Sequence, residues 1–280
     1  MNKVICMPIG GIGNQFFQFF FTYYFSLKTN RKHLVSKKNF YVYKKFEYCL
    51  DKIIDNKFLT YQSSISYIYD LITNNSLKIT DNLIYKIDEN IFTNVNQKKN
   101  LYIMGYWQSF KFLKKQKNIF DILNSSFSNN DLINNYSKKN YVALHIRRGD
   151  YFKEKNVSKI HGILSDNYYK RCIKYFLNKF RNPFFYIFSD DKDYVSQSKY
   201  ISDIDYQFIN LQNHIDEFVL MSYFKNFIIS NSTFSLIPSF LSSLRYSDVD
   251  ICVPNYWVNN ILTSETDLIS YNSHVNLINI

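Results

Sequence analysis

The residues best suited to chemistry stand in one run, His145-Ile146-Arg147-Arg148-Gly149-Asp150. Of the 34 basic residues only six are Arg, and two of those six adjoin here. An arginine offers a rigid fork of donors to phosphate oxygens and keeps its proton at neutral pH. The apolar residues from Tyr141 to Ile146 read as a buried strand. On a strand His145 and Arg147 share one face, and Arg148 points the other way. Gly149 then lets the chain turn. The run suits one Arg on a ligand and the other held structurally, with Asp150 a candidate partner.

Two further runs follow apolar segments. Ser189-Asp190-Asp191 comes after Phe184 to Phe188 and suits the edge of a base or sugar, or a metal. Asp-x-Asp also occurs at Asp191/Asp193, Asp203/Asp205 and Asp248/Asp250. Three matches in one chain make the pattern cheap, and the last two pairs are expected to be solvated loop acids. Asn231, Ser232, Thr233, Phe234 and Ser235 form a hydroxyl-rich turn before a helix. Such a turn presents backbone and hydroxyl donors to an anion, or simply caps the helix. Near the start, Gly10-Gly11-Ile12-Gly13-Asn14-Gln15 stands between a strand and a helix, where glycines permit a tight turn and a polar ligand can approach. A dinucleotide fingerprint is not met: Phe16 holds the third glycine position, and Arg31-Lys32-His33 stands where a ribose-binding acid belongs.

The elements that must position these runs alternate. A strand from Lys3 to Ile9 precedes a helix from Asn14 to Thr29. Residues 37–100 are weakly patterned and suit short helices with one or two strands. Leu101 to Met104 reads as a strand, and the polar stretch 124–140 as a domain boundary. Then come a strand from Tyr141 to Ile146, a helix from Ser165 to Phe180, a strand from Phe184 to Phe188, a helix from Ile215 to Lys225, a strand from Asn226 to Ser230, a helix from Pro238 to Leu244 and a final strand from Asp250 to Val253. Polar residues follow the strands at their C-terminal ends, the edge where parallel α/β sheets bind ligands.

Composition narrows the class. The 280 residues are 46% hydrophobic and 20% charged, with 26 Phe and 25 Tyr, which excludes collagen-like and globally disordered chains. The net charge of +11 favours anionic partners. Lysines are spread along the chain and no nucleic-acid motif is present, so a basic nucleic-acid-binding protein is only a distant alternative and no nucleic acid is expected as a partner. Cys6, Cys49, Cys172 and Cys252 lack metal or redox spacing and read as free buried thiols of a reducing compartment. The longest apolar stretch, Phe16 to Leu27, is broken by Gln18, Thr22 and Ser26 and falls short of the roughly 20 residues a span requires. No signal peptide is recognisable. The expected location is cytoplasmic, with loose peripheral attachment to the anionic inner leaflet suggested by the charge.

Five segments in order, Gly10 to Gln15, Gly105-Tyr106-Trp107-Gln108-Ser109, His145 to Tyr151, Phe188 to Asp191 and Asn231 to Ser235, resemble glycosyltransferase family 11, the α-1,2-fucosyltransferases, in its bacterial form. The resemblance runs from Val4 to Trp257. The chain departs from many bacterial members at Leu236 and Ile237, where those carry two tryptophans. The resemblance implies an α/β fold of GT-B type, two Rossmann-like domains facing across a cleft. Residues 1–125 would be the acceptor side and 126–280 the GDP-fucose-binding domain, with its last helix free to pack back on the first. It implies inverting, metal-independent transfer of L-fucose from GDP-β-L-fucose to the 2-hydroxyl of a galactose-terminated surface glycan. GDP-fucose is then a substrate, and no cofactor is expected. Arg147, Arg148, His145 and Asp150 would be catalytic. Arg147, Arg148, Ser189, Asp190, Asp191, Asn231, Ser232, Thr233, Phe234 and Ser235 would bind the donor. Gly11, Gly13, Asn14, Gln15 and His161 would line the acceptor side. Asp150 and Glu154 are the candidates for a general base. Transfer to another position, α-1,6 or protein O-fucosylation, is the alternative.

Overall fold

The computed structural model describes residues 1–42, 46–80, 87–93, 95, 98–116, 118–149, 162–258, 261–268 and 275–278. The chain divides into two compact units, Met1–Ser128 and Asn129–Ile280.

The first unit is built on a parallel four-stranded sheet in the order β2-β1-β4-β3: β1 (Lys3–Cys6), β2 (Lys32–Val35), β3 (Ser76–Thr80) and β4 (Asn100–Met104). Helix α1 (Ile12–Lys28) follows β1 through the glycine turn. Gly10 has φ +76°, a left-handed conformation that glycine adopts without a Cβ penalty. A Cβ there would also lie 2.8 Å from Asn14 Nδ2. Phe16, Phe17, Phe19, Phe20, Phe21 and Phe25 of α1 are all buried, so the helix is a core element rather than a surface one. Phe21 stacks on Trp107 with ring centroids 4.3 Å apart. Short helices at Lys38–Val42 and Leu50–Ile53, and α2 (Ser64–Ile72), fill the weakly patterned region together with β3.

The second unit carries a six-stranded parallel sheet in the order β12-β9-β8-β5-β6-β7. Its strands are β5 (Tyr141–Ile146), β6 (Phe184–Ser189), β7 (Asp205–Phe208), β8 (Asn226–Ile228), β9 (Asp250–Pro254) and β12 (Val275–Ile278); β10 (Tyr256–Val258) and β11 (Ile261–Leu262) form a small antiparallel pair. The central strands are continuous apolar runs because helices cover both faces. Helix α3 (Asp166–Lys179) is capped by Ser165, whose side chain accepts from the Tyr168 amide. Tyr168, Cys172, Ile173 and Phe176 on its inner face pack against Val142, Leu144 and Ile187. The Tyr168 hydroxyl donates to the carbonyls of Ile229 and Cys252 at 2.6 and 3.1 Å, tying the helix across β8 and β9. Helices α4 (Lys192–Ser196), α5 (His214–Met221) and α6 (Thr233–Arg245) also belong to the unit, as does a short helix at Asn130–Tyr136.

Three expectations are corrected here. The last long helix starts at Thr233, not Pro238, because Ser232 caps it and Pro238, inside it, costs a single backbone bond. Asp250 to Val253 is not the last strand: β12 pairs in parallel with β9 at the sheet edge. Among the described residues no α-helix follows Arg245. Asp250 is not a solvated loop acid. It is buried at the start of β9 and accepts from the Tyr175 hydroxyl at 2.6 Å and from Lys179 Nζ. Asp248 is exposed and pairs with Lys225 at 3.1 Å. All four cysteines are free and buried, as composition suggested, and burial pushes the Cys6 thiol up to about 12. Among the described residues no helix is long and apolar enough to cross a membrane.

Candidate active site

The exits of β8, β5 and β6 lie side by side at the C-terminal edge of the second unit's sheet. Register sets this: Leu144 stands opposite Ile228, His145 opposite Phe188 and Ile146 opposite Ser189. The three polar runs read from sequence therefore converge at one edge.

The two arginines are held by the carboxylates that end β6. Arg147 Nη1 lies 2.8 Å from Asp190 Oδ2. Asp190 Oδ1 accepts from the Arg148 amide at 2.9 Å, so Asp190 fixes both the Arg147 side chain and the backbone after it. Arg148 Nε lies 3.4 Å from Asp191 Oδ2, an ion pair rather than an aligned hydrogen bond. The Arg148 guanidinium also covers the Tyr194 ring, 3.4 Å from its centroid, a cation–π stack. Asp191 caps α4 by accepting from the Tyr194 amide at 3.2 Å, and Ser189 Oγ accepts from the Asp191 amide at 3.1 Å. Asp190 and Asp191, expected at a base or ribose, are thus engaged with the arginines. Gly149 is required by the close packing: a Cβ would lie 2.5 Å from Asp190 Oδ2.

His145 is buried beneath this edge. Its Nδ1 lies 2.7 Å from Ser230 Oγ, and its ring sits 5.3 Å from that of Phe234. Burial first, and the Arg147 charge second, hold its pKa down at about 3. The imidazole is therefore neutral and orients its surroundings rather than carrying charge. Ser232 is the cap of α6, its hydroxyl accepting from the Phe234 amide at 3.3 Å. Asn231 and Ser235 are buried; Ser232, Thr233 and Phe234 are half-buried. The edge thus offers two guanidinium groups, a hydroxyl cluster and a helix N-terminus, a donor set matched to a phosphorylated ligand.

The candidates of the first unit fare differently. Gly11 caps α1 and faces open space. Gly13 is buried in the first turn. Asn14 is half-buried and accepts from Gln108 Nε2 at 2.8 Å. Gln15 is wholly buried and is corrected from a ligand-facing residue to a scaffold residue. Its amide donates to the carbonyls of Gly10 and Glu47 at 2.8 and 2.7 Å, and its Oε1 accepts from the Cys49 amide at 2.8 Å. Asp150, Glu154 and His161 lie outside the described residues.

Residues 6–267 match the family described as Glycosyl transferase family 11. The chain belongs to glycosyl transferase family 11. An α-1,2-colitosyltransferase of Escherichia coli is 30% identical over 84% of this chain and 86% of its own length. The O-antigen biosynthesis glycosyltransferase WbnK of Escherichia coli is 28% identical over 89% and 92%. Among solved structures, POFUT1 in complex with GDP matches with TM-score 0.54 at 12% identity over 90% of this chain and 98% of that one. Fucosyltransferase NodZ from Bradyrhizobium matches with TM-score 0.51 at 13% identity over 86% and 92%. The family 11 chain is thus a sugar-nucleotide glycosyltransferase with the GT-B fold of these proteins.

Two further residues at this edge carry little signal in the sequence. Ser230 reads as the end of a buried strand; its signal is a hydroxyl adjoining the Asn-Ser-Thr run. Tyr194 stands three residues after Asp191, where the first turn of a helix returns its ring to the strand exit.

Proposed function

We propose that the enzyme transfers L-fucose from GDP-β-L-fucose, with inversion and without a metal, to the 2-hydroxyl of a galactose-terminated surface glycan. The observation that carries this reading is the pair of arginines at the exit of β5, each set by a carboxylate at the exit of β6. Paired guanidinium groups match the two phosphates of a nucleoside diphosphate. POFUT1 was solved with GDP and NodZ is a fucosyltransferase, which supports a GDP-sugar donor on this fold.

In the reaction, the acceptor oxygen bonds to the anomeric carbon as the bond from that carbon to the β-phosphate oxygen breaks. The electron pair leaves with GDP, and negative charge grows on the β-phosphate. Arg147 is the more open of the two arginines, with 27% of its side chain exposed against 14% for Arg148. Arg147 therefore meets the β-phosphate, while Arg148, stacked on Tyr194, holds the loop. The amides and hydroxyls of Ser232 to Ser235 add donors. His145, neutral and fixed by Ser230, keeps the Arg147 backbone in place. Gly11 and Asn14 are assigned to the acceptor side. The acceptor proton passes to a carboxylate, with Asp150 and Glu154 the candidates.

A second donor is favoured by one observation, the 30% identity to a colitosyltransferase. Colitose is fucose without its 3-hydroxyl, so the two donors differ at one polar atom. Turnover with GDP-fucose, GDP-colitose and GDP-mannose on a β-galactoside, followed by linkage analysis, tests the reading. It expects GDP-fucose to be preferred and the product to be α-1,2-linked. Preference for GDP-colitose establishes the second donor, and a different linkage overturns the proposal.

A further inference from the structure

Helix α2 is built inside out. Asp70, its one acid, is 2% exposed and faces the sheet, where it accepts from Asn100 Nδ2 at 2.9 Å and the Tyr102 hydroxyl at 2.7 Å. Ser66 and Tyr67 share that inner side. The outer side carries Ile65, Ile68, Tyr69 and Ile72, exposed by 82, 53, 63 and 79%. These stand at i, i+3, i+4 and i+7, one continuous stripe of the helix. Leu71 extends the apolar surface. A helix normally buries such a stripe. A contiguous exposed patch of this kind marks a surface that something apolar covers.

Charge around the stripe identifies the occupant. Lys3 Nζ donates to Ser66 Oγ at 3.0 Å, and Lys38 Nζ lies 3.8 Å from the centroid of the Tyr67 ring. Lys78 is exposed on the edge strand β3 and stands opposite Tyr102, on the sheet face that α2 covers. The outer face of α2 carries no acid at all. An apolar stripe, a tyrosine able to sit at the water boundary and a fringe of ammonium groups is the pattern of an interfacial helix on anionic lipid. We propose that α2 is a membrane-docking element, lying in the plane of an anionic bilayer with Ile65, Ile68 and Ile72 in the acyl boundary and the lysines among the headgroups. A second copy of the chain would instead favour acids to meet the lysine fringe, and α2 presents none on its outer face. The inference is independent of which donor or linkage the enzyme uses.

The test is flotation of the full-length protein with vesicles of phosphatidylglycerol and phosphatidylethanolamine, and separately of phosphatidylcholine. The wild type is expected to float with the anionic vesicles and weakly with the neutral ones. The combined variant Ile65→Ser, Ile68→Ser, Ile72→Ser is expected to lose roughly tenfold or more in partitioning, with melting temperature and turnover on a soluble galactoside unchanged. Lys38→Glu with Lys78→Glu is expected to weaken anionic binding alone. The proposal is overturned if the wild type stays in solution, or if the triple serine variant floats as well as the wild type. It is also overturned if sedimentation velocity shows a dimer that the serine variant abolishes while neither protein floats, which would assign the face to a second copy.

Discussion

Asp190 and Arg147 form an ion pair of 2.8 Å across the exits of β6 and β5. The other oxygen of Asp190 accepts from the Arg148 amide, so one carboxylate sets both the fork and the backbone that presents it. Asparagine has the same shape and keeps an acceptor for that amide, but it lacks the charge that orients Arg147. Asp190→Asn is therefore expected to lower kcat by roughly tenfold or more through loss of alignment. The pair is partly exposed, so its loss should move the melting temperature little. Saturation kinetics beside thermal melts check this; an unaltered kcat would remove Asp190 from the positioning role.

The two arginines are expected to fail differently. Loss of Arg147 removes a donor where charge develops, on the order of 3 kcal/mol of transition-state stabilisation, or a rate loss of roughly a hundredfold. Arg147→Ala should leave the melting temperature close to that of the wild type, and Arg147→Lys should recover little, because a point charge does not reproduce the fork. Arg148→Ala removes the partner of Asp191 and the cover of Tyr194, so it should lower the melting temperature together with the rate. Equal effects of the two alanine variants on rate, GDP affinity and melting would refute the division.

His145 links the site to pH. Burial and Arg147 depress its folded pKa to about 3 from an ordinary value of 6.5. Between these values the unfolded chain binds the proton and the folded chain does not. Stability is therefore complete above about pH 6.5 and falls progressively as pH drops towards 3. Burial likewise lowers His33 to about 3, so the informative quantity is a difference. His145→Asn keeps a polar partner for Ser230 and cannot titrate. Its melting temperature should fall less steeply than that of the wild type between pH 6.5 and 4, and parallel slopes would contradict the assignment.

Much of the second unit was legible because its strands are apolar on both faces and end in polar runs. The apolar run Tyr141 to Ile146 coincides with β5, and the run Phe184 to Phe188 with β6 apart from its last residue, Ser189. What failed depended on partners distant in the chain. Asp250 looks like any loop acid until Tyr175 and Lys179 of the covering helix are placed over it. Gln15 looks like a ligand residue until the segment from Glu47 to Cys49 closes on its amide. Pro238 reads as a helix start because proline suits a first helical turn, while the Asn231 to Ser235 run reads equally as an anion-binding turn or as a cap until Ser232 is seen to accept from the Phe234 amide. Residues 37–100 carry short elements whose pairing, such as that of β3 with β4, periodicity alone does not reveal.

Metal independence is an expectation that the paired arginines motivate. If guanidinium groups supply the positive charge at the leaving diphosphate, removal of divalent ions should leave the rate unchanged. Turnover measured in excess EDTA, then with Mg²⁺ or Mn²⁺ restored, gives the answer. A rate lost in chelator and recovered with metal would show that a carboxylate pair such as Asp191/Asp193 binds an ion in the working enzyme.

Gln15 separates scaffold from ligand contact in the first unit. Its side-chain amide donates to two carbonyls and accepts from one backbone amide while wholly buried. Gln15→Ala leaves three backbone groups without that partner, at about 1–3 kcal/mol for each one that water does not reach. Gln15→Glu retains the acceptor for the Cys49 amide but turns a carboxylate oxygen towards the Gly10 and Glu47 carbonyls. Oxygen facing oxygen in a buried setting forces either a proton uptake or an uncompensated charge. The near-isosteric glutamate should therefore destabilise at least as strongly as alanine at neutral pH, and its melting temperature should partly recover at acidic pH, where the carboxyl gains a proton to donate. A residue that merely touched the acceptor would show the opposite pattern, with a raised KM for the acceptor and wild-type melting for both variants. Thermal melts of the two variants at neutral and acidic pH, set beside acceptor KM at neutral pH, decide between these roles.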